Sequence, residues 1–284
     1  MKIICDRNTK QSISEKQYGE KRLNFLYNTF LGRAILKVVA MPFFSKINAI
    51  YNNTKFSKVK INKFIQKYNI NLSDSEKRNY KSFNDFFTRK KEVTINENPF
   101  NFIAPADSKL TVYKIENDLK IQVKNIIYTL PELLDDEKDV KKYLNGHCLI
   151  FRLSLDDYHR YCFVDNGYVE KQRIIKGKLH TVSSISKEYK IYSKNSRVCN
   201  YLNTENFGEI IAIEVGALLV GKINNHDIKK FRKGEEKGYF ELGGSTIVML
   251  VQDNIKFDDD IIENSLKQIE TKVAYGEKIG EKLC

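Results

Sequence analysis

The sequence predicts an α+β fold: an N-terminal amphipathic helical arm on a mostly antiparallel β body, barrel- or sandwich-like, with a short C-terminal helix. Three observations predict it. Between residues 15 and 90, apolar side chains recur at spacings of three and four, the period of a helix with one buried face. From Phe102 onward the period gives way to short runs rich in Ile, Val, Leu and Tyr, as strands require. Near the end, "DIIENSLKQIETKVAYGEKIG" (260–280) returns to a helical pattern. At 284 residues, 42% hydrophobic and 30% charged, the chain has enough apolar surface to bury a core.

The arm carries the charge. Residues 1–63 hold 13 Lys/Arg against three acids, a net +10 of the chain's formal +12. Such a patch suits a polyanion, a nucleic acid or an anionic lipid surface. The aromatics spaced through it form no stacking platform, which argues against nucleic acid. The opening "MKIICDRNTKQSISEKQYGEKR" has no apolar run of the kind a secretory leader carries. In "FLYNTFLGRAILKVVAMPFFSKI" (25–47), Arg33, Lys37 and Pro42 interrupt the apolar residues, so the segment falls short of a membrane span. It fits a helix lying in a membrane interface, and equally one packed on the protein's own core. A further helix is expected in "LSDSEKRNYKSFNDFFTRK" (72–90), started by Ser or Asp.

Strands are expected at "HCLIFRLSL" (147–155), "RYCFV" (160–164), "YVEKQRII" (168–175), "GEIIAIEVG" (208–216) and "ALLVGKI" (217–223), with a hairpin turn at "DNG" (165–167). The five cysteines contain no CxxC pair, so neither a zinc site nor a disulfide framework is expected. No metal site is expected.

"GYFELGGSTIVML" (238–250) places Gly243, Gly244 and Ser245 between two apolar strands. Glycine there marks a bend or a close backbone approach. A plain hairpin turn contains such residues too. The chemical alternative is self-cleavage. The Ser245 hydroxyl has the Gly244 carbonyl at hand, and an N→O acyl shift turns that amide into an ester. Elimination then leaves dehydroalanine, which hydrolyses to a pyruvoyl group, an electron sink.

"KGEEKGYFELGGSTIVMLV" (233–251) resembles the processing region of phosphatidylserine decarboxylases. "KSFNDFFTRK" (81–90), "APADSKL" (104–110), "DDYHRYCFVDNG" (156–167), "GKLHTV" (177–182), "ENFGEIIAIEVGALLVGKI" (205–223) and "ETKVAYGEKIG" (270–280) are similar to that family's landmarks, in its order. The resemblance implies a basic membrane-associating arm (1–90) and a catalytic domain (91–284). It also implies cleavage between Gly244 and Ser245, giving a large chain (1–244) and a small pyruvoyl chain (245–284) that stay together as a heterodimer. Ser245 would carry the pyruvoyl cofactor and form a Schiff base with phosphatidylserine in an anionic membrane. Release of carbon dioxide would then give phosphatidylethanolamine. A peripheral place on the cytoplasmic side of the cell membrane follows, and homo-oligomer formation is left open.

The same resemblance makes Asp107, in "PADS", the acid of an Asp-His-Ser relay and His159, in "DYHRYC", the base toward Ser245. Two departures stand out. Ser108 replaces the glycine expected after the aspartate, and Cys162 stands where many members carry a second histidine. His180 is the reserve base. Two rival readings share parts of this pattern: a pyruvoyl decarboxylase of a soluble amino acid, and a non-catalytic membrane-binding module whose Gly-Gly-Ser is only a turn.

Overall fold

The computed structural model describes residues 2–15, 20–75, 79–116, 118–123, 126–135, 140–180, 190–217, 222–242 and 245–283. The chain opens with a hairpin, β1 (Lys2–Asp6) and β2 (Gln11–Glu15). Helices α1 (Glu20–Asn28), α2 (Phe30–Val39), α3 (Pro42–Asn53), α4 (Val59–Tyr68) and α5 (Phe83–Phe87) follow. The body then runs through β3 (Asn101–Ile103), β4 (Ser108–Lys114), β5 (Lys120–Val123), β6 (Ile126–Thr129), α6 (Leu130–Leu134), β7 (His147–Leu153), β8 (Arg160–Cys162) and β9 (Gly167–Ile175). It continues through α7 (Ile191–Lys194), β10 (Arg197–Thr204), β11 (Gly208–Val215), β12 (Ile223–Asn225), β13 (Lys230–Phe231) and β14 (Glu236–Phe240). β15 (Ser245–Val251), β16 (Ile255–Phe257), α8 (Asp259–Leu266), β17 (Glu270–Val273) and β18 (Lys278–Lys282) complete it.

Ten strands form one sheet in the order β13-β9-β10-β11-β15-β7-β4-β17-β1-β2. All of its pairings are antiparallel except β1 with β17. The fold is α+β, as the residue pattern predicts, but the sheet stays open and does not close into a barrel. Two three-stranded sheets, β12-β14-β8 and β16-β18-β3, and the β5–β6 ribbon accompany it.

β15 lies near the centre, and all seven of its residues are buried. Ile247, Met249 and Val251 join one apolar cluster with Leu149, Phe151 and Leu153, whereas Val248 and Leu250 join a second with Cys148 and Ile150. Alternate residues of a strand face opposite ways. A strand buried on both faces therefore reads as the continuous apolar run "STIVMLV" rather than as an alternation.

The arm differs from expectation at both ends. Residues 2–15, assigned with the rest to a helical arm, form the hairpin instead, and β1 pairs with β17 through Ile4–Glu270, Cys5–Thr271 and Asp6–Lys272. Just beyond β1, Arg7 reaches Asp258 and Asp260 at 2.8 Å and Glu277 at 2.9 Å. Lys2, Arg7 and Lys10 made this stretch read as more of the basic arm, and its partners lie more than 240 residues away. Residues 76–78 of the helix expected over 72–90 lie outside the described residues, and among the described ones the helix is α5, where Ser82 supplies the cap by accepting from Asp85 N at 3.1 Å.

Within the arm, Thr29 caps α2 by accepting from Gly32 N at 2.9 Å. A Cβ at Gly32 would lie 1.9 Å from the Phe25 carbonyl, so only glycine permits this crossing of α1 and α2. Leu36 of α2 and Ala40 just after it are buried, while Phe30 and Leu31 are 87% and 62% exposed. Phe56 and Val59 farther on are 80% and 74% exposed, so these large apolar groups are not covered by the protein's own core. α4 and α5 meet through Phe64, Phe83, Phe86 and Phe87.

Two body expectations are also corrected. The "DNG" turn joins strands of different sheets, since β8 pairs with β14 and β9 with β10 and β13. The C-terminal helical stretch ends at α8, with Gln268 at φ 57° breaking the helix, and "ETKV" and "KIGEK" form strands. The expected strand at 217–223 falls largely on 218–221, outside the described residues.

Candidate active site

Ser245 is the first residue of β15, paired with Leu153 of β7, and is fully buried. Strand alternation turns its side chain to the face that carries Ile247 and Met249. Those residues share a cluster with Leu153, Tyr158, Tyr161 and Phe240. Gly243 and Gly244, on which the expected cleavage falls, lie outside the described residues. The strands flanking them do not pair with each other. β14 belongs to the small sheet with β8 and β12, and β15 to the large one. The plain hairpin reading of Gly-Gly-Ser is therefore ruled out.

His159 lies just before β8 and is fully buried. Its Nδ1 is 2.9 Å from the Asp157 carbonyl oxygen. A carbonyl only accepts, so Nδ1 carries the proton and Nε2 is left with a free lone pair. Phe87 of α5 lies against the imidazole, with ring centroids 4.3 Å apart. The His159 carbonyl accepts from Phe240 N at 2.9 Å, which fastens the end of β14 beside it. Leu242 then packs against the Phe83, Phe86 and Phe87 cluster. The chain running into Ser245 is thus held in the same neighbourhood as His159.

His159 Nε2 and Ser245 Oγ are both buried without a hydrogen-bond partner, as is Oγ1 of the next residue, Thr246. An unpaired buried polar atom is costly, and native structures keep few of them. Nε2 is a lone-pair acceptor and the Ser245 hydroxyl an O–H donor. Burial pushes the imidazole down to about 4, more than the Asp157 carbonyl raises it, so His159 is neutral near pH 7. A neutral imidazole with a free Nε2 lone pair suits proton abstraction from a serine.

Asp157 is the site residue that sequence reasoning missed. Its carboxylate receives Lys109 Nζ at 2.7 and 2.8 Å and Ser154 N at 2.6 Å, which shapes the turn whose carbonyl orients His159. Burial opposes the Lys109 charge, but the Asp157 and Asp156 carboxylates raise the ammonium above its ordinary value. "DDYH" shows two acids beside the histidine, but a main-chain acceptor leaves no mark in a sequence.

Asp107 sits elsewhere. Its carboxylate takes Lys91 Nζ at 2.6 Å and Tyr275 N at 2.8 Å, with no hydrogen bond to His159. The Lys91 ammonium lies 4.8 Å over the Tyr158 ring, so Asp107 approaches the histidine loop only through intermediaries. Ser108, in place of the expected glycine, is buried, begins β4 and donates to the Ala106 carbonyl. Cys162 is buried next to Tyr275, its thiol pushed up to about 12 by burial, so it is inert. His180 lies against Tyr27 of α1, with Nδ1 3.4 Å from the phenol oxygen, and serves the contact between arm and body. Among the described residues no cluster of metal-ligating side chains occurs.

A model of the phosphatidylserine decarboxylase family matches residues 83–281. The chain belongs to the phosphatidylserine decarboxylase family. It is 56% identical to phosphatidylserine decarboxylase proenzyme 2 of Clostridium acetobutylicum, over 98% of both chains. It is also 42% identical to a phosphatidylserine decarboxylase proenzyme of Clostridium botulinum and 41% identical to one of Clostridium tetani, each over 98% of both chains. Phosphatidylserine decarboxylase family membership thus extends over the arm as well as the body.

Proposed function

We propose that the chain is a self-processing phosphatidylserine decarboxylase, with Ser245 as nucleophile, His159 as base and cleavage between Gly244 and Ser245. The observation that carries this reading is the pair of unpartnered buried atoms, His159 Nε2 and Ser245 Oγ. His159 takes the Ser245 hydroxyl proton as Oγ attacks the Gly244 carbonyl carbon. The C–N bond of that peptide breaks and the amine takes up a proton, leaving an ester. Removal of the Ser245 α-proton then breaks the Cβ–Oγ bond. Gly244 leaves as a carboxylate, and residue 245 becomes dehydroalanine, which water converts to a pyruvoyl group with loss of ammonia.

The residues at position 245 fit such a group. The side chain is enclosed, faces an apolar cluster and starts a strand held on both sides by β11 and β7. The pyruvoyl carbonyl supplies an electron sink for loss of carbon dioxide from phosphatidylserine. Leu153, Tyr158 and Phe240 line that side of the sheet and limit water there. Asp107 remains a proposed site residue, acting on the histidine loop through Lys91 and Tyr158. After cleavage, residues 1–244 and 245–284 stay associated as a heterodimer, since β15 and β17 lie inside the large sheet.

The arm brings the body to its substrate. Among the described residues no helix is long and apolar enough to cross a membrane. Phe30, Leu31, Phe56 and Val59 are exposed next to Arg33, Lys55, Lys58 and Lys60, as in a helix that inserts apolar groups between anionic head groups. We place the enzyme peripherally on the cytoplasmic side of the membrane. The test is a lipid assay. Vesicles containing carboxyl-labelled phosphatidylserine should release labelled carbon dioxide and gain phosphatidylethanolamine. Free serine or another soluble amino acid should give none; turnover of one instead would favour the soluble-substrate rival.

A further inference from the structure

A buried ion pair lies outside the machinery described so far. Lys237 of β14 and Glu214 of β11 meet at 2.9 Å, with side chains 4% and 1% exposed. The rest of the carboxylate is satisfied by Asn200 Nδ2 at 2.6 Å and Asn225 Nδ2 at 3.0 Å. Asn225 in turn accepts from Tyr161 OH at 2.8 Å, and Asn200 from Gln172 Nε2 at 2.8 Å. Such a pair contributes little net stability, since desolvation cancels most of its attraction, but it can specify register.

Its place in the fold gives it a register to specify. The β14–β8 pairing shifts between Glu236, opposite Cys162, and Gly238, opposite Tyr161, which makes Lys237 the extra residue of a bulge. A bulge re-aims a side chain, here from the central strand of the small sheet into the core. Gly238 is what lets the strand come so close, because a Cβ there would lie 2.3 Å from the Asn224 carbonyl and 2.9 Å from Tyr161 OH. On the other strand, Glu214 faces Ile247 of β15. Ser245 is two residues along on the same face, a diagonal neighbour. The pair therefore ties β14, the strand before residues 241–244, to β11, the hydrogen-bonded neighbour of the strand that holds Ser245.

We infer that the Glu214–Lys237 ion pair is a positioning device for self-cleavage, fixing the register of β14 and with it where peptide 244–245 meets the Ser245 hydroxyl. The inference rests on the proposed self-processing. A slip of one residue along a strand moves the chain about 3.4 Å. That is the whole distance over which reacting atoms must be aligned, and errors of about 1 Å already cost on the order of a hundredfold in rate. Slippage would also leave the Glu214 carboxylate facing no cation in the core, so the charge excludes the neighbouring registers.

The test replaces both partners, Glu214→Gln with Lys237→Met, and follows cleavage of freshly synthesised full-length chain by cell-free translation. The same pair of substitutions in a Ser245→Ala background reports the melting temperature without cleavage. The expected result is cleavage at least about tenfold slower than the parent, with a melting temperature close to that of Ser245→Ala alone, because a buried pair lost whole leaves no orphaned charge. A purely structural role would move the melting temperature and leave the cleavage rate of folded chain alone. Cleavage within about twofold of the parent overturns the inference. Should the double variant not fold, Glu214→Gln alone carries the test: it keeps the shape of the side chain beside Lys237 and withdraws the charge that forms the ion pair. Slower cleavage of that variant supports the inference and parental speed overturns it. A parent that stays whole removes the proposed function along with the inference, whereas a parent that cuts beside an equally fast variant removes the inference alone.

Discussion

The Asp157 carbonyl oxygen lies 2.9 Å from His159 Nδ1 and leaves Nε2 as the basic atom of the ring. In a catalytic triad a carboxylate has that role. Here the carboxylate acts one step back, as Asp157 uses it to hold Lys109 and Ser154 N, and the turn so formed presents the carbonyl.

His159→Ala should leave the chain whole. Acid should act in a specific range. Burial lowers the His159 pKa to about 4, whereas an unfolded chain takes up the proton near 6.5. The folded state then binds fewer protons than the unfolded state between those values. The stability that His159 contributes is complete above about pH 6.5 and falls as pH drops toward 4, by up to about 3 kcal/mol. Cleavage, which needs the neutral ring, should hold its rate from pH 7 to about 5 and fall near 4. A cleavage time course between pH 4 and 8 checks this, and an inflection near 6.5 would count against it.

Cys162→Ala should process at the parental rate. The buried thiol is protonated at every pH the enzyme meets, so it cannot replace the absent second histidine as a base. The loss is one of packing, about 1 kcal/mol, read as a lower denaturant midpoint. Loss of cleavage would mean that the thiol takes part in the chemistry.

Phe30→Ser and Phe56→Ser should each weaken binding to phosphatidylserine vesicles about tenfold, since each removes an exposed apolar side chain of the arm. Raised salt should weaken the parent as well, by screening the basic residues. Co-sedimentation measures both effects. Unchanged binding in the variants would place the membrane contact on another surface.

Arg7→Ala should loosen the grip of the N-terminal hairpin on residues 258–277. Three carboxylates converge on this guanidinium, Asp258, Asp260 and Glu277, and its loss should cost about 2 kcal/mol. The urea midpoint of the processed protein should fall accordingly.

Much of the site could be read from residue types. Ser245 after Gly244 and His159 in "DYHR" carry reactive groups, and reactive groups are visible in a sequence. The Asp157 carbonyl was not legible, because every residue has one and only the fold decides which is aimed at an imidazole. The bulge at Lys237 was hidden for a related reason. A lysine in "EEKGYF" reads as a solvated strand face until Glu214, 23 residues earlier, is known to lie beneath it. In the fold, β15 and β11 were legible as apolar runs. The β1–β2 hairpin was not, since its partner β17 comes from the far end of the chain and "ETKV" itself looked helical beside α8.

The most direct measurement is the intact mass of the purified protein. Two polypeptides are expected, residues 1–244 and 245–284, the smaller blocked at its N-terminus by a pyruvoyl group, with the Ser245→Ala protein remaining one chain. A single uncut polypeptide with serine at position 245 would contradict the account, because no electron sink would then exist at the start of β15.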